Sequence, residues 1–216
     1  FDQIRIEYPI IKYLMMKKIM LYYVSTALSI CLSIGCKDTG TKEKKALEQK
    51  APKQTEYSTV VDFDRTVMQI LDQSPQYNSF LKLVNSVSYF KEIENMNDVM
   101  VFVPTDEAFG PSLNEINELS EPENLNRLTD IIKYHFVQRN LNIENLISTI
   151  EIQDEPLRLQ TMHGGYLATK LESGKLQLLD ENTNTALIGN TCFKGSNGVV
   201  FTIDRILMPR KEVVID

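Results

Sequence analysis

The spacing of apolar residues changes at Ile150 of this 216-residue chain. Before that point apolar residues recur every three or four positions, as on one face of a helix. After it they alternate with polar residues, as on one face of a strand. A chain that places its helices first and its strands last does not build the repeated strand–helix units of a parallel sheet. The spacing therefore predicts an α+β arrangement of helices and antiparallel strands.

The first part of the chain predicts helices around one buried strand. The best-defined helix begins at the capping box Ser120-Glu121-Pro122-Glu123, after which one apolar stripe runs from Leu125 to His135. The apolar run between Asp98 and Pro104 is too short for a helix and rich in β-branched residues, so it predicts a central strand. Further helices are predicted at residues 62–74, 77–87, 105–109 and 142–147, with caps near Asp62 for the first, at Thr105 for the third and at Asn142 for the last.

The second part of the chain predicts antiparallel strands joined by turns. Leu157, Leu159 and Thr161 alternate with polar residues. Two hairpins follow, the first with strands 166–171 and 176–179 and the second with strands 186–193 and 199–207, whose loop ends in Asn197-Gly198. Helices and strands together predict one α+β domain over residues 59–209, with a short tail over residues 210–216.

Residues 1–36 have the pattern of an export signal. Residues 1–14 precede the first methionine and are expected to be upstream read-through, with position 15, 16 or 20 as the initiator. Lys17-Lys18 is followed by an apolar run of about a dozen residues, which is shorter than the ~20 residues of a membrane-spanning helix. The segment Leu32-Ser33-Ile34-Gly35-Cys36 resembles a bacterial lipobox, which implies a lipid on Cys36 and cleavage just before it.

Residues 37–58 are expected to form a flexible, charged tether. The stretch from Lys37 to Tyr57 carries six lysines and four acidic residues, and its one aromatic residue is Tyr57. Such a composition cannot bury enough apolar surface to offset its chain entropy. A tether of this length spans on the order of 25 Å, which lifts a domain clear of lipid headgroups. The expected location is the bacterial cell envelope, lipid-anchored in the outer membrane, on its surface or its periplasmic face.

Charge and reactive side chains exclude several classes of function. The net charge is −6 and no basic run is interleaved with aromatic residues, which argues against nucleic acid as a partner. The two histidines and three cysteines show no metal-binding spacing, so no metal and no cofactor are predicted. No Gly-x-Ser-x-Gly motif is present, so no catalytic residue is predicted. Cys192 is expected to be a small, buried apolar residue.

Three segments, in this order and at this spacing, resemble the conserved boxes of the fasciclin-like domain. Val101–Phe109 (VFVPTDEAF) is similar to the first box, Tyr134-His135 to the Tyr-His motif, and Ser196–Pro209 (SNGVVFTIDRILMP) to the closing box. The sequence departs from the pattern at Phe201, where the family usually has histidine, and at Cys192, near a common aspartate. The resemblance covers residues 59–209 and implies a wedge-like antiparallel β-sandwich with helices packed across one side.

Most of the motif residues are expected to serve the fold. His135 should be buried with one ring nitrogen bonded to a backbone carbonyl or a carboxyl group, whereas His163, in a glycine-rich turn, should lie at the surface. Asn197 and Gly198 should accept left-handed backbone angles, and Asp204 should cap loop amides. The structural motif residues are Thr105, Tyr134, His135, Asn197, Gly198 and Asp204.

The resemblance implies an extracellular adhesion or binding module with a protein or matrix partner. In some animal members of the family, hydrophobic residues around the Tyr-His motif are implicated in receptor contact. The matching residues here are Ile131, Ile132, Tyr134, Phe136 and Val137. The alternative interpretation is that these side chains are simply core, because helical apolar residues usually face inward.

Two other functions stay open at this point. One is a glycan-capture lipoprotein that serves an outer-membrane polysaccharide uptake system, with Tyr57, Tyr77, Tyr89 and Tyr166 as sugar-stacking candidates in a chain without tryptophan. The other is a hydrolase built on His135, His163 and Asp204, although no nucleophile with an adjacent base accompanies them.

Overall fold

A computed structural model describes residues 55–153 and 155–210 of the chain. Within these residues the strands are β1 Ser58–Val61, β2 Val99–Pro104, β3 Phe136–Gln138, β4 Leu157–Gln160, β5 Tyr166–Glu172, β6 Lys175–Leu179, β7 Thr185–Lys194 and β8 Gly198–Ile203. The α-helices are α1 Val67–Asp72, α2 Asn78–Ser86, α3 Phe90–Glu94, α4 Leu113–Leu119, α5 Leu125–Tyr134 and α6 Ile143–Gln153. The predicted signal and lipobox, and the tether as far as residue 54, lie outside the described residues.

The start of α1 differs from the prediction because a different residue makes the cap. The helix begins at Val67 rather than near Asp62. The Thr66 hydroxyl accepts the N–H of Gln69 at 3.3 Å, and the Gln69 side-chain oxygen accepts the N–H of Thr66 at 3.0 Å. This reciprocal pair satisfies two amides that the helix itself leaves unpaired.

The capping box predicted at Ser120 does not form. The Ser120 hydroxyl instead donates to the carbonyl of Ile116 at 3.1 Å, and a 3-10 turn over Pro122–Asn124 leads into α5. The cap predicted at Asn142 is confirmed, because its side-chain oxygen accepts the N–H of Asn145 at 2.8 Å. The helix that it starts, α6, continues six residues beyond the predicted end, to Gln153.

The strands form one mixed sheet in the order β3-β2-β8-β7-β6-β5-β4, and β1 pairs with β7 outside this path. The pairs β2–β8 and β1–β7 are parallel, and the other ladders among the described residues are antiparallel. The α+β class is confirmed, and the strands β4 to β8 of the second part of the chain pair antiparallel as predicted. Parallel pairing requires a long connection, and here the connections contain both helices and strands.

Strand β2 separates two hydrophobic cores. All six of its residues are buried, and successive side chains point to opposite faces. Val99, Val101 and Val103 join the first core, which also contains the apolar faces of α1, α2 and α5. Met100 and Phe102 join the second core, which α6 and the strands β4 to β8 complete. The helices therefore cover one face of the β2–β8 pair, while the rest of the sheet and α6 enclose the other.

Candidate functional site

His135 is fully buried directly after α5, and both of its ring nitrogens are hydrogen-bonded. Nδ1 lies 2.8 Å from the carbonyl oxygen of Ile131, one turn back along the helix. Nε2 accepts the backbone N–H of Leu207 at 3.1 Å. Since a carbonyl can only accept and an amide N–H can only donate, Nδ1 carries the ring proton. The ring thus ties the end of α5 to the segment that follows β8.

The environment of His135 keeps its imidazole neutral. Burial lowers the pKa to about 4 and outweighs the opposing effect of the hydrogen bond to Ile131. The ring also packs against Phe80, with ring centroids 5.3 Å apart. Because both nitrogens are already bonded to backbone groups, the ring has no position left for a substrate proton. It therefore does not fit the role of a general base.

His163 and Asp204 make contacts in other parts of the fold. His163 is partly buried rather than at the surface, and its ring meets Tyr134 edge-on with centroids 6.0 Å apart. Its Nδ1 is buried with no hydrogen-bond partner among the described residues. One carboxylate oxygen of Asp204 accepts the N–H of Leu187 at 2.7 Å, so this carboxylate does bind a backbone amide. His135, His163 and Asp204 therefore contact different elements of the fold. They do not form the catalytic group that the hydrolase hypothesis requires.

The five residues assigned to partner contact by resemblance lie in the cores. Ile131, Ile132, Tyr134, Phe136 and Val137 are each between 0% and 2% exposed. A partner cannot reach these side chains while the domain is folded. The structure therefore contradicts direct contact and fits the alternative interpretation of these residues as core.

The hydroxyl of Tyr134 is buried, and it makes two hydrogen bonds to the backbone. Its hydroxyl donates to the carbonyl of Tyr166 at 2.7 Å and accepts the N–H of Glu181 at 3.1 Å. Burial raises the pKa of this hydroxyl well above its usual value. The Tyr-His motif thus anchors α5 to β5 through the tyrosine and to the segment after β8 through the histidine.

The Asn197 side chain joins the closing turn to the helices. Its Oδ1 accepts the N–H of Val67, the first residue of α1, at 2.8 Å. Its Nδ2 donates to the carbonyls of Ile93 at 3.2 Å and Met96 at 3.0 Å, around the end of α3. One buried amide therefore bonds backbone groups at the start of α1 and around the end of α3 and holds the three segments together.

Gly198 is required by a close contact rather than by its backbone angle. Neither Asn197 nor Gly198 has a positive φ, so the expectation of left-handed angles was wrong. A Cβ at position 198 would overlap the carbonyl oxygen of Val99 on the neighbouring strand. Gly198 and Val99 are register partners at the start of the β2–β8 ladder. The glycine therefore allows β8 to begin directly against β2.

The first box contributes a contact that sequence reasoning missed. The Thr105 N–H donates to the carbonyl of Ile203 at 3.3 Å, and the Thr105 carbonyl accepts the N–H of Ala108 at 2.9 Å. Asp106 then accepts the N–H of Ser79, in the first turn of α2, at 2.8 Å. An aspartate 27 residues away from the amide that it binds leaves no local pattern in the sequence.

The two departures from the family pattern are both buried. Phe201 stacks on Phe102 inside the second core, with ring centroids 5.4 Å apart. Cys192 is 1% exposed, its sulfur lies 3.2 Å from the Thr59 hydroxyl, and burial raises the pKa of the thiol. Among residues 55–153 and 155–210, no group of three or more His, Cys, Asp or Glu side chains is placed to hold a metal ion.

Known proteins show the same domain. The profile of the fasciclin domain matches residues 75–209, which is more than half of the chain. Protein sll1483 of Synechocystis sp. is 24% identical over 161 residues, which are 72% of this chain and 82% of that protein. The chain therefore belongs to the fasciclin domain family.

A solved structure with the same fold is the FAS1 domain pair from the insect cell adhesion molecule fasciclin I. The two structures superpose with a TM-score of 0.59 at 16% sequence identity. The match covers 68% of this chain and 51% of the insect chain, which is about half of its length. At this identity the likeness concerns the fold alone.

We expect His135 to make stability depend on pH between about 6.5 and about 4. In this range the unfolded chain binds a proton on the imidazole and the folded chain does not, so the free energy of unfolding falls as the pH falls. The contribution is complete above pH 6.5, and ~3 kcal/mol of it is lost by about pH 4. Urea unfolding across this range, in the wild type and in His135→Gln, measures the difference. Equal slopes for the wild type and His135→Gln would contradict the assignment.

We expect Asn197→Ala to lower the free energy of unfolding by about 3 kcal/mol, because the N–H of Val67 and the carbonyl of Met96 lose the hydrogen bonds that the buried side chain makes with them. Asn95→Ala is the matched control, since Asn95 is exposed and its side chain donates to the carbonyl of Lys91, one turn back, at 2.8 Å. The control should cost less than about 1 kcal/mol. Denaturant unfolding of both variants gives the comparison, and similar small losses for the two would refute the role of Asn197.

Proposed function

We propose that this protein is a lipid-anchored bacterial cell-envelope protein whose single fasciclin domain acts as an extracellular adhesion or binding module. The observation that carries the proposal is the membership of residues 75–209 in a family of adhesion and binding domains. The anchoring part rests on the lipobox at Cys36, a residue outside the described part of the chain. The tether after Cys36 would hold the domain away from the lipid surface.

The chemistry of the motif residues supports a binding role over catalysis. His135 is neutral and bonded at both nitrogens, Tyr134 is bonded to two backbone groups, and Asn197 is bonded to four. Each of these polar side chains uses its hydrogen-bonding groups to hold backbone segments together. We infer that the protein is not an enzyme and that its function depends on its outer surface.

The outer surface offers apolar side chains near the predicted tether. Val60 and Val61 on β1 and Phe63 just after it are about half exposed or more, with Phe63 at 63%. Three neighbouring apolar residues on one edge supply contact area for a protein partner. No helix in the described part of the chain has both the length and the apolar character to cross a membrane.

Glycan capture for an outer-membrane polysaccharide uptake system is the second candidate. Two of the four tyrosines considered for sugar stacking, Tyr77 and Tyr89, are buried and cannot meet a sugar. Tyr166 favours the hypothesis, because it is 40% exposed at the start of β5 with the guanidinium of Arg158 4.5 Å from its ring centroid. The guanidinium covers one face of the ring, so a sugar ring would stack on the other face.

For the first candidate we expect protease treatment of intact cells to remove the domain from the cell surface. The Cys36→Ala variant should be recovered in a soluble fraction, because it lacks the cysteine that carries the lipid. Detection of residues 59–209 in whole-cell and periplasmic fractions checks both points. A wild-type domain that stays protected until the outer membrane is opened would exclude an external adhesin and leave a periplasmic partner.

For the second candidate we expect Tyr166→Ala to abolish binding to any polysaccharide that the wild type retains, as measured by calorimetric titration with a polysaccharide panel. Tyr166→Phe is the conservative control, since it keeps the ring and should retain most of the affinity. No measurable heat with any polysaccharide, or full binding by Tyr166→Ala, would count against glycan capture at this position.

A further inference from the structure

Asn197 and Gly198 form the one Asn-Gly pair of the 216-residue sequence. Asparagine is chemically labile, because the main-chain nitrogen of the next residue attacks its side-chain carbonyl carbon. A glycine in the second position favours this attack, since it has no side chain to hinder the approach. The pair therefore carries a reaction of its own, in addition to its place in the fold.

The reaction needs only the chain and water. The nitrogen of Gly198 forms a bond to Cγ of Asn197, and the bond between Cγ and Nδ2 breaks. Nδ2 leaves as ammonia and takes with it the proton of the Gly198 amide. Water then opens the resulting cyclic imide at either carbonyl, which leaves aspartate or isoaspartate at position 197.

The folded domain holds the side chain of Asn197 away from this reaction. The residue is only 8% exposed. Its Nδ2, the group that would leave, donates to the carbonyls of Ile93 at 3.2 Å and Met96 at 3.0 Å. Its Oδ1 accepts the N–H of Val67 at 2.8 Å. Ring closure would move Cγ toward the nitrogen of Gly198 and would break these hydrogen bonds.

The main chain on both sides of the reacting nitrogen is fixed as well. The carbonyl of Asn197 accepts the N–H of Val99 at 3.0 Å, and the carbonyl of Gly198 accepts the N–H of Gly195 at 2.9 Å. A Cβ on Gly198 would overlap the carbonyl oxygen of Val99, so there is no space for this residue to move toward β2. Ring closure rotates the main chain at Asn197. It therefore requires that the start of β8 first separate from β2.

The products do not fit the place of the asparagine. An aspartate has an oxygen where Nδ2 was, and an ionised carboxylate cannot donate a hydrogen bond. That oxygen would face the carbonyls of Ile93, Glu94 and Met96, which lie 3.2, 3.5 and 3.0 Å from Nδ2. A buried charge among acceptors is strongly unfavourable. Isoaspartate lengthens the main chain and shifts the residues of β8 against β2.

We propose that Asn197 is a self-modification site whose reactivity depends on folding. In the folded domain Asn197 is protected, and in the unfolded chain it converts to aspartate or isoaspartate. The converted chain no longer refolds, so unfolding becomes irreversible with time. The pair thus limits how long the chain stays unfolded and still reaches the native state. This limit goes beyond the adhesion and glycan proposals and does not depend on either.

A second Asn-Gly pair introduced into the same chain supplies the matched control. Asn182 is exposed in the turn before β7. The next residue, Thr183, has a φ of 66°, which glycine adopts without the steric cost of a β-branched side chain. Thr183→Gly therefore creates an exposed pair that begins at position 182 and leaves the fold intact.

The test follows both pairs in the full-length Thr183→Gly chain, kept in a nonionic detergent and a mildly alkaline buffer with or without guanidinium chloride. Peptide mass spectrometry measures conversion. In the denaturant we expect positions 182 and 197 to convert at similar rates. In the folded chain position 182 should still convert, whereas position 197 should convert at least ~100-fold more slowly than in the denaturant, because only the small unfolded fraction reacts. Equal rates at both positions of the folded chain, or no conversion of position 197 in the denaturant, would overturn the proposal.

Refolding tests the fate of the converted chain. When the denaturant is removed from the wild type, the fraction that regains cooperative unfolding should fall in step with the fraction converted at position 197. Asn197→Asp, purified in denaturant, should fail to refold. Asn85→Asp, at an exposed position of α2, is the control and should refold like the wild type. An Asn197→Asp chain that refolds with the unfolding midpoint of the wild type would contradict the proposal.

Discussion

The parallel ladder between β2 and β8 separates the two hydrophobic cores, and a buried polar side chain fixes the chain at each end of β8. Before the strand, Asn197 binds the start of α1 and the end of α3. After the strand, His135 binds the amide of Leu207. Between these points Phe201 stacks on Phe102 of the neighbouring strand. A shift of β8 by one residue would break both polar ties and exchange the residues that face the two cores.

The ladder also explains which parts of the fold the sequence predicts. β2 was visible as an apolar run because both of its faces are buried, and α5 was visible as a stripe because one face meets the first core. β1 and β3 were not predicted, because short strands at the margin of a sheet have little sequence pattern of their own. The parallel pairings were missed for a related reason, because they join residues more than 90 positions apart and nothing local encodes such a contact.

The contacts of the motif residues were likewise only partly predictable from the sequence. The bond from His135 to a backbone carbonyl followed from its place on an apolar stripe, since a buried ring nitrogen needs a partner. The reason for Gly198 did not follow, because the residue that excludes a side chain there is Val99, almost 100 positions earlier. Asp106 and Ser79 show the same limit. Part of the local chemistry was predictable from the sequence, such as the cap at Asn142 and the bond of His135, whereas the capping box at Ser120 did not form. Contacts between distant segments were not predictable.

The residues that identify the family are therefore the residues that hold the domain together, so a match to the family predicts the fold more directly than the ligand. A binding function must use side chains that the fold leaves at the surface. Helix α6 shows how both demands can be met in one element. Ile143, Leu146 and Ile150 are buried, which fixes the orientation of the helix. Glu144 and Ser148 of the same helix stay exposed. Substitutions on that exposed side leave the second core undisturbed, whereas substitutions in the Tyr-His motif disturb the fold.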